Sequence, residues 1–428
     1  MSIEVANSSS DGYYFLPYTL PVHLPGLVST NPGDSPHMPL PQKAVPPEVP
    51  GFTDIFPEVV GTDFGMETSF KYIPNDYEVL KSVIVMMKLA PLAAAGGGIN
   101  PRYADDVFNA ACERVAWQVG GATIQELTGD EMHFKPLVEC PPEEYSRLSV
   151  AQYIDTDAQR TIFATTGGWV YAEVPFWWTE TAAKHWHQYA CQRQTRIRFK
   201  WRPANQILQQ DNVNAVPTAV GNKYIQDIFM RFRISALDTA VKDTYTNSVK
   251  AQGSAGLNYL TTFTQKQENN VVSVPSNSTT IQLTNFNKPT YMLRFIIRTE
   301  TALATNCLTG NRRFEIQDCS QFRADASGHI IWPLMSSRFA KLEVNGKEFL
   351  GNPMNNVFHV LHTDYADVVQ YPMGCVEYGK LQNPTLTINW ANNLQANMVV
   401  DIYAYCYDYL RLVITQDNRS AVNLEQPI

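Results

Sequence analysis

Apolar and polar residues alternate in short runs along almost the whole chain, and this pattern limits the fold more than any other feature. A period of two marks strands that bury one face. It is clear at Val170, Ala172 and Val174 against Tyr171 and Glu173, and at Ile197 and Phe199 against Arg196, Arg198 and Lys200. It recurs in TSFKYIP, YEVLKSVIVMMKLAP, IQDIFMRFRI, LQNPTLTINW and VVDIYAYCYDYLRLVI. In the last of these Ile402, Ala404 and Cys406 alternate with Tyr403, Tyr405 and Tyr407. The runs fall into two successive blocks with turn signals at roughly ten-residue spacing, the pattern of two antiparallel sandwiches in tandem.

Length agrees with two units, since 428 residues exceed one ordinary domain. The 21 Tyr and 20 Phe suit half-buried pleated surfaces. A net charge of -8 without a basic run argues against coating nucleic acid. No apolar run approaches the roughly 18 residues of a membrane span, and the N-terminus has no signal-peptide pattern. Seven scattered cysteines (Cys112, Cys140, Cys191, Cys307, Cys319, Cys375, Cys406) without a C-x-x-C predict reduced, buried thiols in a cytoplasmic or nuclear setting.

Residues 1–60 hold eleven of the 27 prolines, cannot sustain helix or sheet ladders, and read either as an extended arm lying on a surface or as a partly disordered tail. The first sandwich is expected over 61–238, a connector over 239–258 with Asp238 capping a helix to Lys250, and the second sandwich with a tail over 259–428. Within the first, Trp169–Trp201 reads as strand, aromatic corner Phe176-Trp177-Trp178, a helix Thr181–Tyr189 capped by Thr179, and strand. ATIQELTGDEMHF continues a strand into a turn, Glu139–Ser149 is a loop with a short helix, and RPANQILQQDNVNAVPTAVGN is a polar loop. In the second block Ser336–Phe349 is expected to be a hairpin turning at Asn345-Gly346.

Sites of chemistry are hard to find. His185-Trp-His187 lacks the carboxylate that would complete a cupin-like metal set, so packing is the expected role of both histidines. His359 and His362 could share a helix face, with Asp364 and Asp367 in a loop, a weak metal signal. Glu143 and Glu144 are adjacent and cannot flank a sugar. Arg193, Arg196, Arg198, Lys200 and Arg202 form a basic stripe, read as a solvated or intersubunit strand face rather than a polyanion site. The sequons at Asn7, Asn277 and Asn418 are expected to be unused. No nucleophile elbow, phosphate loop or dinucleotide fingerprint occurs, so no catalytic, cofactor or metal residue is assigned and an enzyme is not expected.

Six stretches resemble, in order, the double jelly-roll major capsid proteins of large nucleocytoplasmic DNA viruses: CERVAWQVGGATIQELTGDEMHF, VYAEVPFWWTE with ACQRQTRIRFKW, IFMRFRISALDTAVKDTY, TIQLTNFNKPTYMLRFIIR, AKLEVNGKEF and VVDIYAYCYDYLRLV. Together they span about residues 70–415. The chain departs from the family's pattern at Lys288, at Lys242-Asp243, at Cys406 and Asp408, and in the shortened MGCVEYGKLQNPTL, as a distant branch would.

The resemblance implies an all-β chain of two eight-stranded antiparallel jelly rolls with short helical insertions. It implies a structural role, a homotrimer forming a pseudo-hexameric capsomer that tiles an icosahedral shell beside other capsomers and minor or penton proteins. Residues 1–60 would face an internal membrane or inner layer, with no direct contact to the genome, and the protein would be assembled in the host cytoplasm or nucleus. A scaffold protein of the same fold and a carbohydrate-binding or -processing jelly roll are the alternatives.

Overall fold

A computed structural model of the chain describes residues 48–425, apart from 60–61, 153–155, 181–183, 192, 254–256, 275, 305, 309–311, 363–373, 393 and 415–419. The first sandwich is built from β1 (Glu48–Ile55), β2 (Glu67–Ser69), β3 (Val79–Leu89), β4 (Cys112–Val119), β5 (Ala122–Leu127), β6 (Gly168–Glu173), β7 (Thr195–Trp201) and β8 (Ile225–Leu237). The second uses β9 (Leu257–Val272), β10 (Ser278–Gln282), β11 (Thr290–Thr299), β12 (Gln321–Ala326), β13 (His329–Ser336), β14 (Phe358–Leu361), β15 (Pro384–Asn389) and β16 (Met398–Ile414). Its sheets are ordered β1-β8-β3-β6 and β2-β7-β4-β5, then β9-β16-β11-β14 and β10-β15-β12-β13. Adding eight to each label of the first sandwich gives the second, so one topology is used twice. Short strands extend it: Trp186–His187 pairs with β3 and Ser420–Glu425 with β16.

Alternation sets the inward faces. Along β7, Ile197, Phe199 and Trp201 are buried while Arg196, Arg198 and Lys200 are half-buried. The first core centres on Trp117, whose ring lies 5.1 Å from Trp186, 6.0 Å from Trp177 and 6.2 Å from Trp178. Truncating a buried ring of this size costs about 3–5 kcal/mol, which makes the Phe176-Trp177-Trp178 corner a packing element. The five longer helices are α1 (Val107–Ala111), α2 (Gly129–Glu139), α3 (Pro142–Gln152), α4 (Asp157–Thr166) and α5 (Thr239–Ala251). Asp238 caps α5 as expected, accepting from the Ala240 N–H at 2.8 Å.

Several local expectations are corrected. The arm does not reach residue 60, because Glu48–Ile55 pairs with β8 along its whole length. Pro50 is tolerated there because β1 is the edge strand of its sheet. Residues 1–47 of the expected arm lie outside the described residues, as do Asn7 and Asn418. Of the helix expected over Thr181–Tyr189, residues 181–183 lie outside the described residues; beyond them Trp186–His187 is a strand and Gln188–Ala190 a 3-10 turn, after an earlier 3-10 turn at Trp177–Thr179. The strand supplies backbone partners to Val79 and Leu80 at the start of β3, which β6 does not reach.

After β5 the chain forms helix α2 rather than a turn, because Thr128 accepts from the Glu131 N–H at 3.3 Å and caps it. Leu208–Asp211, inside the expected polar loop, pairs with Ile99–Tyr103. The Asn345-Gly346 hairpin is absent, and the chain is helical over Ser337–Ala340, Lys341–Asn345 and Gly346–Glu348. A two-residue hairpin of this type needs positive φ, whereas Asn345 has φ −63° and Gly346 −75°. The Asn345 amide instead donates to the Val357 carbonyl at 3.0 Å. Ser336 begins the helical stretch by accepting from the Phe339 N–H at 3.3 Å.

Candidate functional site: the seam between the sandwiches

Strand β16 has no solvent face over its central residues. Ile402, Ala404 and Cys406 belong to the core of the second sandwich. Tyr403, Tyr405 and Tyr407 point the other way, into the core that continues through the first sandwich. Alternation that reads in sequence as one buried and one half-exposed face is therefore two buried faces. Tyrosines suit the second face, because a ring can be buried while its hydroxyl finds a partner. Tyr405 does so by accepting from Arg294 Nη1 at 2.9 Å.

Helix α2 of the first sandwich meets this wall with its acidic end. Asp130 is buried and accepts from three guanidinium groups: Arg298 Nη1 at 2.9 Å, Arg202 Nη2 at 3.3 Å, and Arg313 through Nε at 2.5 Å and Nη2 at 2.9 Å. Arg298 also pairs with the buried carboxylate of Asp401. Burial alone would raise the Asp130 carboxyl, but Arg313, Arg298 and Arg202 outweigh it and hold it well below the usual carboxylate range. Glu131 accepts from Thr264 Oγ1 of β9 at 2.6 Å and faces Lys266 Nζ at 3.5 Å. At the other end of α2, Glu139 pairs with Arg294 at 2.8 Å. His133 stacks on Phe314, centroids 3.7 Å apart, with its Nδ1 2.6 Å from Asp106.

The seam also needs a residue without a side chain. Gly351 donates its N–H to the Val138 carbonyl at 2.7 Å, and a Cβ there would sit 2.3 Å from that oxygen and 2.4 Å from the Leu137 oxygen. Gly351→Ala is expected to lower stability by about 1–3 kcal/mol, read as a drop in thermal midpoint. Gly346→Ala, whose Cβ would have neighbours only at 3.6 Å, is the control that stays near wild type.

The histidines have packing partners. His187 lies flat on Tyr245, centroids 4.5 Å apart, and its Nδ1 is 3.1 Å from the Tyr189 hydroxyl. Burial, with a smaller contribution from His185, pushes His187 down to about 3. His359 and His362 are not on a helix face; His359 sits in strand β14 and His362 follows it, and an odd spacing on extended chain separates them. Arg294 Nε donates to His359 Nε2 at 3.0 Å, so Nδ1 carries the proton and donates to Asn345 at 2.8 Å. His362 meets the Tyr378 hydroxyl at 2.9 Å, and burial pushes it down to about 4. Asp364 and Asp367 lie outside the described residues, and Glu143 and Glu144 open helix α3. Among the described residues no group of three or more His, Cys, Asp or Glu side chains could hold a metal ion.

The basic stripe is met by carboxylates. Arg198 faces Glu67 at 3.2 Å, Lys200 faces Glu113 at 2.6 Å and Arg196 faces Glu58 at 3.8 Å. Arg202, past a register shift at Lys200/Trp201, turns inward to Asp130. Sequence reading passed over Asp130, Arg294, Arg298, Arg313 and Asp401. The signal available was Thr128-x-x-Glu131, the sequence pattern of a capping box, of which Thr128 forms its half by capping α2 and so places Asp130 in the first turn.

No protein-family model matches the chain, and no curated protein matches its sequence. Solved structures do match. The crystal structure of PBCV-1 VP54 fitted into a reconstruction of the virophage Sputnik aligns with a TM-score of 0.68 at 13% identity, covering 88% of this chain and 97% of that one. The Faustovirus major capsid protein aligns with 0.68 at 10% identity, covering 88% and 92%. A quasi-atomic model of the PBCV-1 capsid gives 0.66 at 14% identity, covering 88% and 97%. The chain has the double jelly-roll fold. The eight-strand offset between the sheets is that double jelly roll written in strand order, and the seam is the contact between its two rolls.

Proposed function

We propose that this chain is the major structural protein of an icosahedral viral shell, and that three copies form a pseudo-hexagonal capsomer. The observation that carries this reading is the seam. A double jelly roll locked through β16 and the Asp130 cluster is one rigid block with two similar lobes. Three such blocks supply six lobes, the number that tiles a hexagonal lattice. The likeness to capsid proteins along 88% of the chain supports the same reading.

The partners are other copies of the chain, then neighbouring capsomers and minor or penton proteins. The charge of -8 favours a shell kept apart from the genome. The proline-rich residues ahead of β1 tie the capsomer to an internal membrane or inner layer, in a virion assembled in the host cytoplasm or nucleus. Catalysis has no part in this role. Light scattering and negative-stain imaging of the purified chain test it. Trimers of hexagonal outline are expected, and a monodisperse monomer overturns the reading. A chain lacking residues 1–47 is expected to form trimers and fail in shell assembly.

A further inference from the structure

The repeat makes a statement about surfaces that one chain leaves open. Inside the chain, the outer face of the β9-β16-β11-β14 sheet covers helix α2, which follows β5. Under the eight-strand offset, the counterpart of that sheet is β1-β8-β3-β6, and the counterpart of α2 is the helical stretch of residues 337–348, which follows β13.

Both counterparts carry uncovered apolar side chains. On the outer face of the first sheet, Phe56 is 51% exposed and stacks near Phe229, which pairs in register with Met86; Met86 in turn pairs with Tyr171, 38% exposed. A row of apolar and aromatic residues thus crosses three strands, β8, β3 and β6, and ends at Phe56, the residue after β1. On the helical stretch, Ala340 and Val344 are buried beneath, while Phe339 and Leu342 stand 51% and 52% exposed on the far side. An apolar patch of this kind on a soluble chain marks a place where another surface belongs.

We propose that the outer face of the β1-β8-β3-β6 sheet docks on residues 337–348 of the next copy of this chain, repeating between chains the contact that the second sandwich makes with α2 within one. The contact is heterologous: two unlike patches meet, each chain gives one and receives one, and the arrangement closes into a ring. It continues the intrachain seam around that ring, so that every lobe meets its neighbours in one manner. The proposal rests on the shell reading and adds to it which surfaces meet.

The test uses two double variants of the full chain, Phe56→Asp/Tyr171→Asp on the sheet and Phe339→Asp/Leu342→Asp on the helical stretch, with mass read by light scattering. Each variant alone is expected to fall about threefold in mass, from trimer to monomer. Mixing the two restores one intact contact per pair, so dimers are expected, a gain that misfolded protein cannot give. Variants that remain trimers beside a trimeric wild type overturn the surface assignment and leave the shell reading standing. Dimers formed by either variant alone overturn the heterologous pairing. A monomeric wild type overturns the shell reading and this proposal with it.

Discussion

Asp130→Ala is expected to destabilise the chain by about 3–5 kcal/mol, the cost of leaving buried charge uncompensated. The substitution takes the shared carboxylate from Arg202, Arg298 and Arg313; Arg298 keeps Asp401, and Arg202 and Arg298 are almost fully buried. Water cannot solvate those guanidinium groups without entering between α2 and β16, so the damage is localised to the seam. Urea unfolding measures the loss, and limited proteolysis locates it. The expected cuts fall near α2 and the Arg313 loop, with the β7 core protected. Asp130→Asn keeps the shape but only one acceptor oxygen and no charge, with its amide NH2 facing guanidinium donors, and it should fall between wild type and Asp130→Ala. A variant with wild-type stability would show that the cluster contributes nothing net.

Acid should loosen the fold in two stages. His187 and His362 are held down to about 3 and about 4 by burial, against about 6.5 in an unfolded chain. A group depressed in the folded state contributes stability that is complete above its unfolded value and is lost as pH falls toward its folded value. Between about pH 6.5 and 4, then, the unfolded chain takes up protons that the folded chain refuses. At pH 5 each of these histidines costs about 2 kcal/mol relative to pH 7. His359, held well below the ordinary range by burial and by Arg294, acts in the same direction.

Asp130 enters only below about pH 4, where an unfolded aspartate binds a proton that the three arginines still exclude. The measurement is the thermal midpoint at pH 7, 5 and 3.5. His187→Phe keeps a ring over Tyr245 and cannot titrate, so it should flatten the first stage by about 2 kcal/mol. A wild-type profile level from pH 7 to 5 would contradict this account.

Period-two alternation made most of the architecture readable, because each sandwich buries one face of each sheet. That is why β3, β6, β7, β8, β15 and β16 could be placed from residue order. The errors share a cause. Asn345-Gly346 has the composition of a tight turn, yet Asn345 is occupied in bonds to Val357 and His359 that no local pattern announces. Trp186 and His187 sit in a stretch with helical character, and the start of β3, which β6 does not reach, draws them into a strand. The seam was the least readable part. Arg202 looked like the end of a surface stripe, and Arg298 like the end of a strand, until folding placed both on Asp130. Contacts between residues more than 150 positions apart, such as Arg294 with Glu139, leave no trace in local spacing.

Because β16 pairs with β9 and β11 while its tyrosines close the first core, neither lobe is finished until residues 398–414 have been made. β1 likewise waits for β8, nearly two hundred residues later. Pairings of such long range fold slowly, with strand edges open in the meantime. A growing chain therefore keeps open strand edges, and so the means to stick to its neighbours, until β16 has been made and paired.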